Sequence, residues 1–404
     1  MRIIDIRAAR IGRSPVIRVL TDEGLDGLAE IEHSKPYVTQ TLGLYRELLV
    51  GQDPTQVERC MMRIRRLGGF KPWGAVVSAI EIALWDLAAR SLDVPVHRLL
   101  GGKTRDRIRV YNGGIRVPLN NHTPEDYAAS MQHMVDSPEG FSLFKEGVGL
   151  HGFMAPHVPD FMYNDLRTGP LHPNRGPLTP GAISHVVDCV AAMKDVLGPN
   201  RRLALDMGPG WTVPDAITTL NRLEPFDLAW AEDVLTGDFV PWVDAPRYRE
   251  LTQATRVPTH TGEQIYLRHG FRELVETNAV RVIGPDPGDV GGLAELKWIA
   301  EYADLYGVQI APHGVSNGLL GLAALIQVSA TLPDNLIAFE YPTAMDPWWY
   351  DIVQGLPDPI VRDGFVTVGD GPGLGVELDR EAARRHLEPG AENFFDWPTD
   401  KELR

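Results

Sequence analysis

Cysteine, membrane-spanning runs and targeting signals are scarce or absent in this chain of 404 residues. Cys60 and Cys189 are its two cysteines, which excludes a disulfide framework and a thiolate metal site. No run approaches the roughly 18 apolar residues of a membrane span. The opening MRIIDIRAAR carries charges inside its apolar stretch and lacks the core of a signal peptide. We therefore expect a cytoplasmic protein without a membrane partner.

Positive charge is scarce as well. The chain has 39 Lys and Arg against 54 Asp and Glu, a net charge of -15, and no basic cluster. This balance argues against a nucleic-acid surface. With 44% hydrophobic and 23% charged residues, the composition is that of an ordinary globular protein.

Six polar residues each close a short apolar run. The runs are LALD, LAWAE, VPTHTGE, VRVIGPD, VQIAPH and LIAFE, and the closing residues are Asp206, Glu232, Glu263, Asp286, His313 and Glu340. Most runs are followed by a Gly- or Pro-rich turn and a helical stretch. Repeated strand, loop and helix units at this spacing predict a (β/α) barrel, in which strand ends meet at one mouth.

The chemistry of these strand ends is informative. Three carboxylates from successive strands, Asp206, Glu232 and Glu263, can hold a hard divalent cation. Asp286 and His313 can form a tuned acid/base pair. Any one acid alone could be a helix cap or a solvated charge, but six in register argue against that interpretation.

The chain is long enough for a second domain beside one barrel. Residues 1 to about 30 alternate like a β-meander, and residues 75–91 have apolar positions spaced for a buried helix face. We predict an α+β domain over 1–112, a barrel over 113–370, and a segment over 371–404 that packs back on the first domain.

One insertion, residues 148–178, is too long for an ordinary connection between strand and helix. It contains three histidines, His151, His157 and His172, as well as Tyr163 and Arg167. The spacing of the histidines matches no metal-ligand pair. A substrate or oligomer role and passive decoration both remain open.

The helix AVVSAIEIALWDLAARSLDVPVHRLLGG, the ordered strand-end series and the closing PGLGVEL resemble the enolase superfamily in its mandelate racemase branch. The resemblance covers nearly the whole chain and implies an α+β capping domain on a modified (β/α)7β barrel of the TIM type. It implies Mg²⁺ held by Asp206, Glu232 and Glu263, and removal of the proton α to a substrate carboxylate to give an enediolate.

The resemblance also implies roles for four further residues. His313 is the expected base and Asp286 its partner. Lys145 matches the first lysine of the family's strand-two Lys-X-Lys motif and is expected to clamp the substrate carboxylate. Glu340 is expected to hydrogen-bond a carboxylate oxygen or the enediolate.

The chain departs from the family pattern at two glycines. Gly147 stands where the second strand-two lysine is usual, so racemisation with a base on each face loses one partner. Gly208 stands where dehydratases of this branch often place a His or Asn. A Glu-Asp pair and a long loop also occur in the mannonate dehydratase-like group, in which a loop Tyr and Arg take part in catalysis. That group's strand-three His is absent here, and its strand six lacks the Asp that this chain keeps, so its catalytic roles are not carried over. Tyr163 and Arg167 stay candidates for substrate binding only.

The leading interpretation is a Mg²⁺-dependent dehydratase of a sugar acid, in which His313 takes the α-proton. Either His313 returns the proton to the leaving hydroxyl, or the insertion provides an acid such as Tyr163. The alternatives are an epimerase or cycloisomerase, and a decayed ligand-binding homologue. Trp73 and His260 are further candidates for substrate binding, although strict strand alternation would turn His260 away from Glu263. The resemblance suggests a homo-oligomer.

Overall fold

The structure, a computed structural model, describes residues 1–68, 71–114, 116–163, 176–237, 243–314, 318–341 and 346–399, without the side chains of residues 71–73. None of the helices in these ranges is long and apolar enough to cross a membrane.

The N-terminal domain is an antiparallel meander covered by helices. Its strands are β1 (Ile3–Ile11), β2 (Ser14–Thr21) and β3 (Asp26–Glu30). Its helices are α1 (Val38–Thr41), α2 (Gly43–Leu49), α3 (Val57–Ile64), α4 (Lys71–Ser91) and α5 (Val96–Leu99). The predicted meander and the predicted helix over 75–91 are both present. Gly27 lets α4 pack closely on β3, because a Cβ there would lie 2.0 Å from the Ala83 carbonyl oxygen.

Parallel strands alternate with helices through the middle of the chain. The strands are β4 (Arg107–Asn112), β5 (Leu143–Gly147), β6 (Arg202–Asp206), β7 (Ala231–Glu232), β8 (Thr259–Thr261), β9 (Val282–Ile283), β10 (Gln309–Ile310) and β11 (Phe339–Tyr341). The helices are α6 (Pro124–Val135), α7 (Pro180–Leu197), α8 (Val213–Leu223), α9 (Ala245–Gln253), α10 (Leu267–Glu276), α11 (Leu293–Leu305) and α12 (Leu319–Ser329).

These strands close into a barrel. Each strand from β4 to β9 pairs in parallel with the next, and β11 pairs in parallel with β4. Backbone hydrogen bonds from Ile337 to Ile310 and from Glu340 to Pro312 join β10 to the chain around β11. Within the described ranges, eight strands and seven intervening helices form the predicted (β/α)7β barrel of the TIM type.

The sequence explains where several barrel helices begin. Thr123, Thr179 and Thr212 each accept a hydrogen bond from a backbone N–H in the first turn, and a proline lies among the first two helical residues. Threonine satisfies an otherwise unpaired donor, and proline loses no helical hydrogen bond at that position. The helices therefore start soon after the loops that carry the strand-end side chains.

The C-terminal part consists of short elements. They are α13 (Trp349–Ile352), β12 (Val353–Gln354), β13 (Val361–Arg362), β14 (Phe365–Thr367), β15 (Glu377–Leu378) and α14 (Arg380–Ala383). β14 pairs antiparallel with β4, and an isolated bridge joins Ile11 to Leu387. The division of the chain at residues 112 and 370 stays a prediction.

Two buried glutamates fasten the N-terminal domain to the barrel. Glu81 on α4 accepts hydrogen bonds from the N–H groups of Leu293 and Ala294 at 2.7 and 3.0 Å, at the start of α11. Glu30 at the end of β3 accepts one from Gly321 N–H at 3.1 Å, in the first turn of α12. Both carboxyl groups therefore cap barrel helices.

Candidate active site

Strand register brings the predicted residues to one end of the barrel. Gly147 pairs with Asp206 across β5 and β6, and Asp206 pairs with Glu232 across β6 and β7. Seven side chains of the predicted site are buried, with at most 7% exposure: Lys145, Asp206, Glu232, Glu263, Asp286, His313 and Glu340. Five are acids and two are basic, so this group carries an excess of negative charge.

Lys145 lies at the centre of the acids. Its Nζ is 2.8 Å from Glu232 Oε1, 3.2 Å from Glu340 Oε2 and 3.6 Å from Asp206 Oδ2. Burial opposes its charge, but Glu232 and Glu340 raise the pKa of Lys145 well above its usual value. Its ammonium is thus a fixed positive charge at the barrel mouth.

His313 and Asp286 form a hydrogen-bonded pair. His313 Nδ1 lies 2.6 Å from Asp286 Oδ2, and Gly288 N–H donates to the other Asp286 oxygen, also at 2.6 Å. His313 Nε2 lies 3.2 Å from Glu263 and 3.6 Å from Glu340. Because Nδ1 is held by the aspartate, Nε2 is directed at the other site residues, the arrangement that a histidine base requires.

The charges in the site favour the ionised forms of His313, Asp286 and Glu232. Burial opposes the charge of His313, yet Glu340 and Asp286 raise its pKa to about 10. Burial likewise opposes ionisation of Asp286, but its hydrogen bond to His313 lowers its pKa. Burial also opposes ionisation of Glu232, and Lys145 outweighs it, bringing the pKa of Glu232 to about 2.

The three predicted metal ligands all lie at strand ends in this mouth, but they do not form a ready cluster. Within the described ranges, no group of three or more His, Cys, Asp or Glu side chains is arranged to hold a metal ion. Lys145 lies close to two of the three carboxylates, and Glu263 contacts His313. The assignment of Asp206, Glu232 and Glu263 to Mg²⁺ stays a prediction.

Sequence reasoning missed two aromatic residues that hold the carboxylates. The Tyr111 hydroxyl donates to Glu340 Oε2 at 3.3 Å, and the Trp230 indole donates to Glu232 Oε2 at 2.9 Å. The two rings meet edge to face, with centroids 5.2 Å apart. A signal existed for Trp230, because residues two apart on a strand share a face and Trp230 precedes Glu232 by two.

The candidate substrate-binding residues differ in where the structure places them. His260 is 1% exposed, with its ring stacked on Trp230 and its Nδ1 3.6 Å from Glu232, so it lies in the barrel interior beside a site carboxylate. Tyr163 is 69% exposed. Arg167 and the side chain of Trp73 lie outside the described residues. The substrate contacts of all four stay predictions.

Comparison with known proteins establishes the family. The mandelate racemase / muconate lactonizing enzyme N-terminal domain matches residues 8–101, and the enolase C-terminal domain-like family matches residues 127–383. The chain therefore belongs to the mandelate racemase/muconate lactonizing enzyme branch of the enolase superfamily, as predicted.

Individual proteins similar to this chain indicate the class of reaction. The chain is 33% identical to a D-xylonate dehydratase of Haloferax volcanii, over 94% of this chain and 87% of that protein. It is 29% identical to a D-galactonate dehydratase of Variovorax paradoxus, over 98% and 96%. The crystal structure of a mandelate racemase/muconate lactonizing enzyme-like protein from Rubrobacter xylanophilus matches with a TM-score of 0.80 and 30% identity, over 96% and 98%. The predicted class, a hydro-lyase of the enolase superfamily, is confirmed.

Proposed function

We propose that the protein is a Mg²⁺-dependent dehydratase of an aldonate or aldarate and works as a homo-oligomer. The observation that carries the proposal is the pairing of His313 with Asp286 at 2.6 Å, in a buried mouth that also contains Lys145. Similarity to a D-xylonate and a D-galactonate dehydratase supports a sugar-acid substrate.

The donor set fits Mg²⁺. Asp206, Glu232 and Glu263 offer carboxylate oxygens, which a hard cation prefers. The group of seven buried residues has five acids and two bases, and Lys145 is one of the bases. The acids outnumber the bases, so a bound dication would neutralise part of the excess negative charge. When bound, Mg²⁺ would supply the positive charge that stabilises a substrate carboxylate as it gains electron density.

His313 and Asp286 are the residues proposed to remove the α-proton. His313 Nε2 is the proposed acceptor of the α-proton, and Asp286 fixes its orientation through Nδ1. Glu340 and Asp286 raise the pKa of His313, and Glu263, one of the proposed ligands of the cation, lies 3.2 Å from its Nε2. A cation held beside this nitrogen would favour the neutral imidazole, the form that can act as a base.

Lys145 and Glu340 would hold the substrate carboxylate. The Lys145 ammonium is fixed by Glu232 and Glu340, so it need not reorganise when negative charge develops on the substrate. Glu340 is held in turn by the Tyr111 hydroxyl. Tyr163, Arg167, His260 and Trp73 are proposed to contribute to substrate binding.

The test is turnover of a panel of aldonates and aldarates that includes D-xylonate and D-galactonate, with and without Mg²⁺. We expect a 2-keto-3-deoxy acid, no epimer, and loss of product after chelation. An epimer or lactone without keto acid would instead indicate an epimerase or cycloisomerase. Binding of an acid sugar without any turnover would indicate a ligand-binding homologue.

A further inference from the structure

His151, in the insertion after β5, lies above the two glycines that depart from the family pattern. A Cβ at Gly147 would be 2.9 Å from His151 Cδ2, and a Cβ at Gly208 would be 2.7 Å from His151 Cβ. Gly208 also has a φ of +64°, a backbone conformation that residues other than glycine rarely adopt. A side chain at either position would therefore collide with His151.

Backbone contacts hold His151 in this place. Val148 N–H donates to the Asp206 carbonyl at 2.9 Å, and His151 N–H donates to the Met207 carbonyl at 3.0 Å. Gly149 lies against the Trp211 ring, where a Cβ would be 2.4 Å from a ring carbon. The turn formed by residues 148–154 is thus fastened to the loop after β6, and it carries His151 with it.

The His151 ring faces the site. Its Nδ1 lies 3.2 Å from Asp206 Oδ1, and its side chain is 31% exposed. With Nδ1 directed at a carboxylate, Nε2 is the nitrogen left to meet a substrate, as in the pair of His313 and Asp286. β6 and β10 are four strands apart in a ring of eight. His151 and His313 therefore approach the mouth from opposite sides.

We propose that His151 is the acid that protonates the leaving β-hydroxyl, in place of the side chains missing at Gly147 and Gly208. The inference rests on the proposed function. His313 takes the α-proton, and the C–H electron pair becomes the carbon–carbon double bond. The β-carbon–oxygen bond breaks with its pair, and the oxygen takes a proton from His151 and leaves as water. The enol then gains a proton at the β-carbon and loses the proton of its hydroxyl, which gives the 2-keto acid.

The test uses His151→Gln, with His157→Gln as the matched control on the same insertion, where His157 is exposed. Each variant receives the aldonate that wild type dehydrates fastest in the panel above, and its 3-deoxy-3-fluoro analogue. Fluoride leaves without being protonated, whereas hydroxide requires an acid. We expect H151Q to lose about 10²- to 10⁴-fold in dehydration. It should keep exchange of the α-proton with deuterated solvent and release fluoride within about threefold of wild type, and H157Q should match wild type throughout.

Three results would overturn the inference. Dehydration by H151Q at the wild-type rate would show that the hydroxyl leaves without His151. A parallel loss of fluoride release and α-proton exchange would assign His151 a structural role. An epimer formed by wild type and lost in H151Q would make His151 a second-face base. If wild type dehydrates no aldonate, the proposed function fails as well, which the wild-type arm shows by itself.

Discussion

Glu81 offers a quantitative test of how the N-terminal domain is fastened to the barrel. Its side chain is fully buried on α4, and it accepts hydrogen bonds from Leu293 N–H, Ala294 N–H and the Trp85 indole. Burial raises the pKa of Glu81 from 4.5 to about 7, because the cost of desolvating the ionised form is larger than the stabilisation of the carboxylate by these hydrogen bonds. The perturbation is Glu81→Gln, which keeps the shape and removes the proton equilibrium.

The sign and size of the effect follow from linkage. The folded protein binds this proton more tightly than the unfolded chain, so the contribution of Glu81 to stability is complete below pH 4.5 and is lost as pH rises through 7. Each tenfold change in a proton equilibrium is worth about 1.4 kcal/mol, and the change from 4.5 to about 7 therefore corresponds to roughly 3 kcal/mol. Glutamine cannot titrate, so the stability advantage of wild type over E81Q should shrink by up to that amount between pH 4.5 and 8.

The assay is urea unfolding followed by tryptophan fluorescence at several pH values in this range, with Mg²⁺ held constant. Glu47→Gln, an exposed change on α2, serves as the control and should leave the difference from wild type independent of pH. The difference should be largest at acid pH, where we expect E81Q to be less stable by about 1–3 kcal/mol, because an amide NH₂ replaces one acceptor. A stability difference that stays constant or widens with rising pH would refute the reasoning.

Three further predictions concern the site. His313→Asn should abolish exchange of the substrate α-proton with deuterated solvent while Mg²⁺ still raises the melting temperature; retained exchange would move the base to Lys145 or the insertion. Lys145→Met should destabilise the metal-free protein by about 3–5 kcal/mol in urea unfolding, because buried Glu232 and Glu340 lose their ammonium; an unchanged midpoint would contradict this. Asp206→Asn should remove most of the stabilisation by Mg²⁺, which for wild type is about 2.7 kcal/mol at a hundredfold excess over Kd; an undiminished effect would place the ion elsewhere.

Much of the fold was predictable because its signals are local. The apolar runs that end in Asp206, Glu232 and Glu340 correspond to β6, β7 and β11, and the apolar face of residues 75–91 lies in α4. Each of these patterns depends on a few neighbouring residues and on burial alone. The strand ends could therefore be assigned to one barrel mouth before any contact was known.

The finer geometry of the site was not predictable, because it depends on contacts between distant segments. His151 could not be placed from its spacing to other histidines. Its position follows from hydrogen bonds between the turn 148–154 and the loop after β6. The hydroxyl of Tyr111 reaches Glu340 only because β11 pairs with β4 to close the barrel. The position of Lys145 between Glu232 and Glu340 depends likewise on three strands together.

The close fit of His151 over Gly147 and Gly208 also bears on how this site can change in evolution or in the laboratory. Restoring a lysine at Gly147 or a histidine at Gly208 would put the new Cβ within 3 Å of His151. At Gly208 the new Cβ would also meet the backbone of His151, so the exchange would displace the turn, whereas at Gly147 it would meet the His151 ring, which would have to turn aside. A side chain transferred to either position would therefore need a compensating change in His151 or in the turn 148–154.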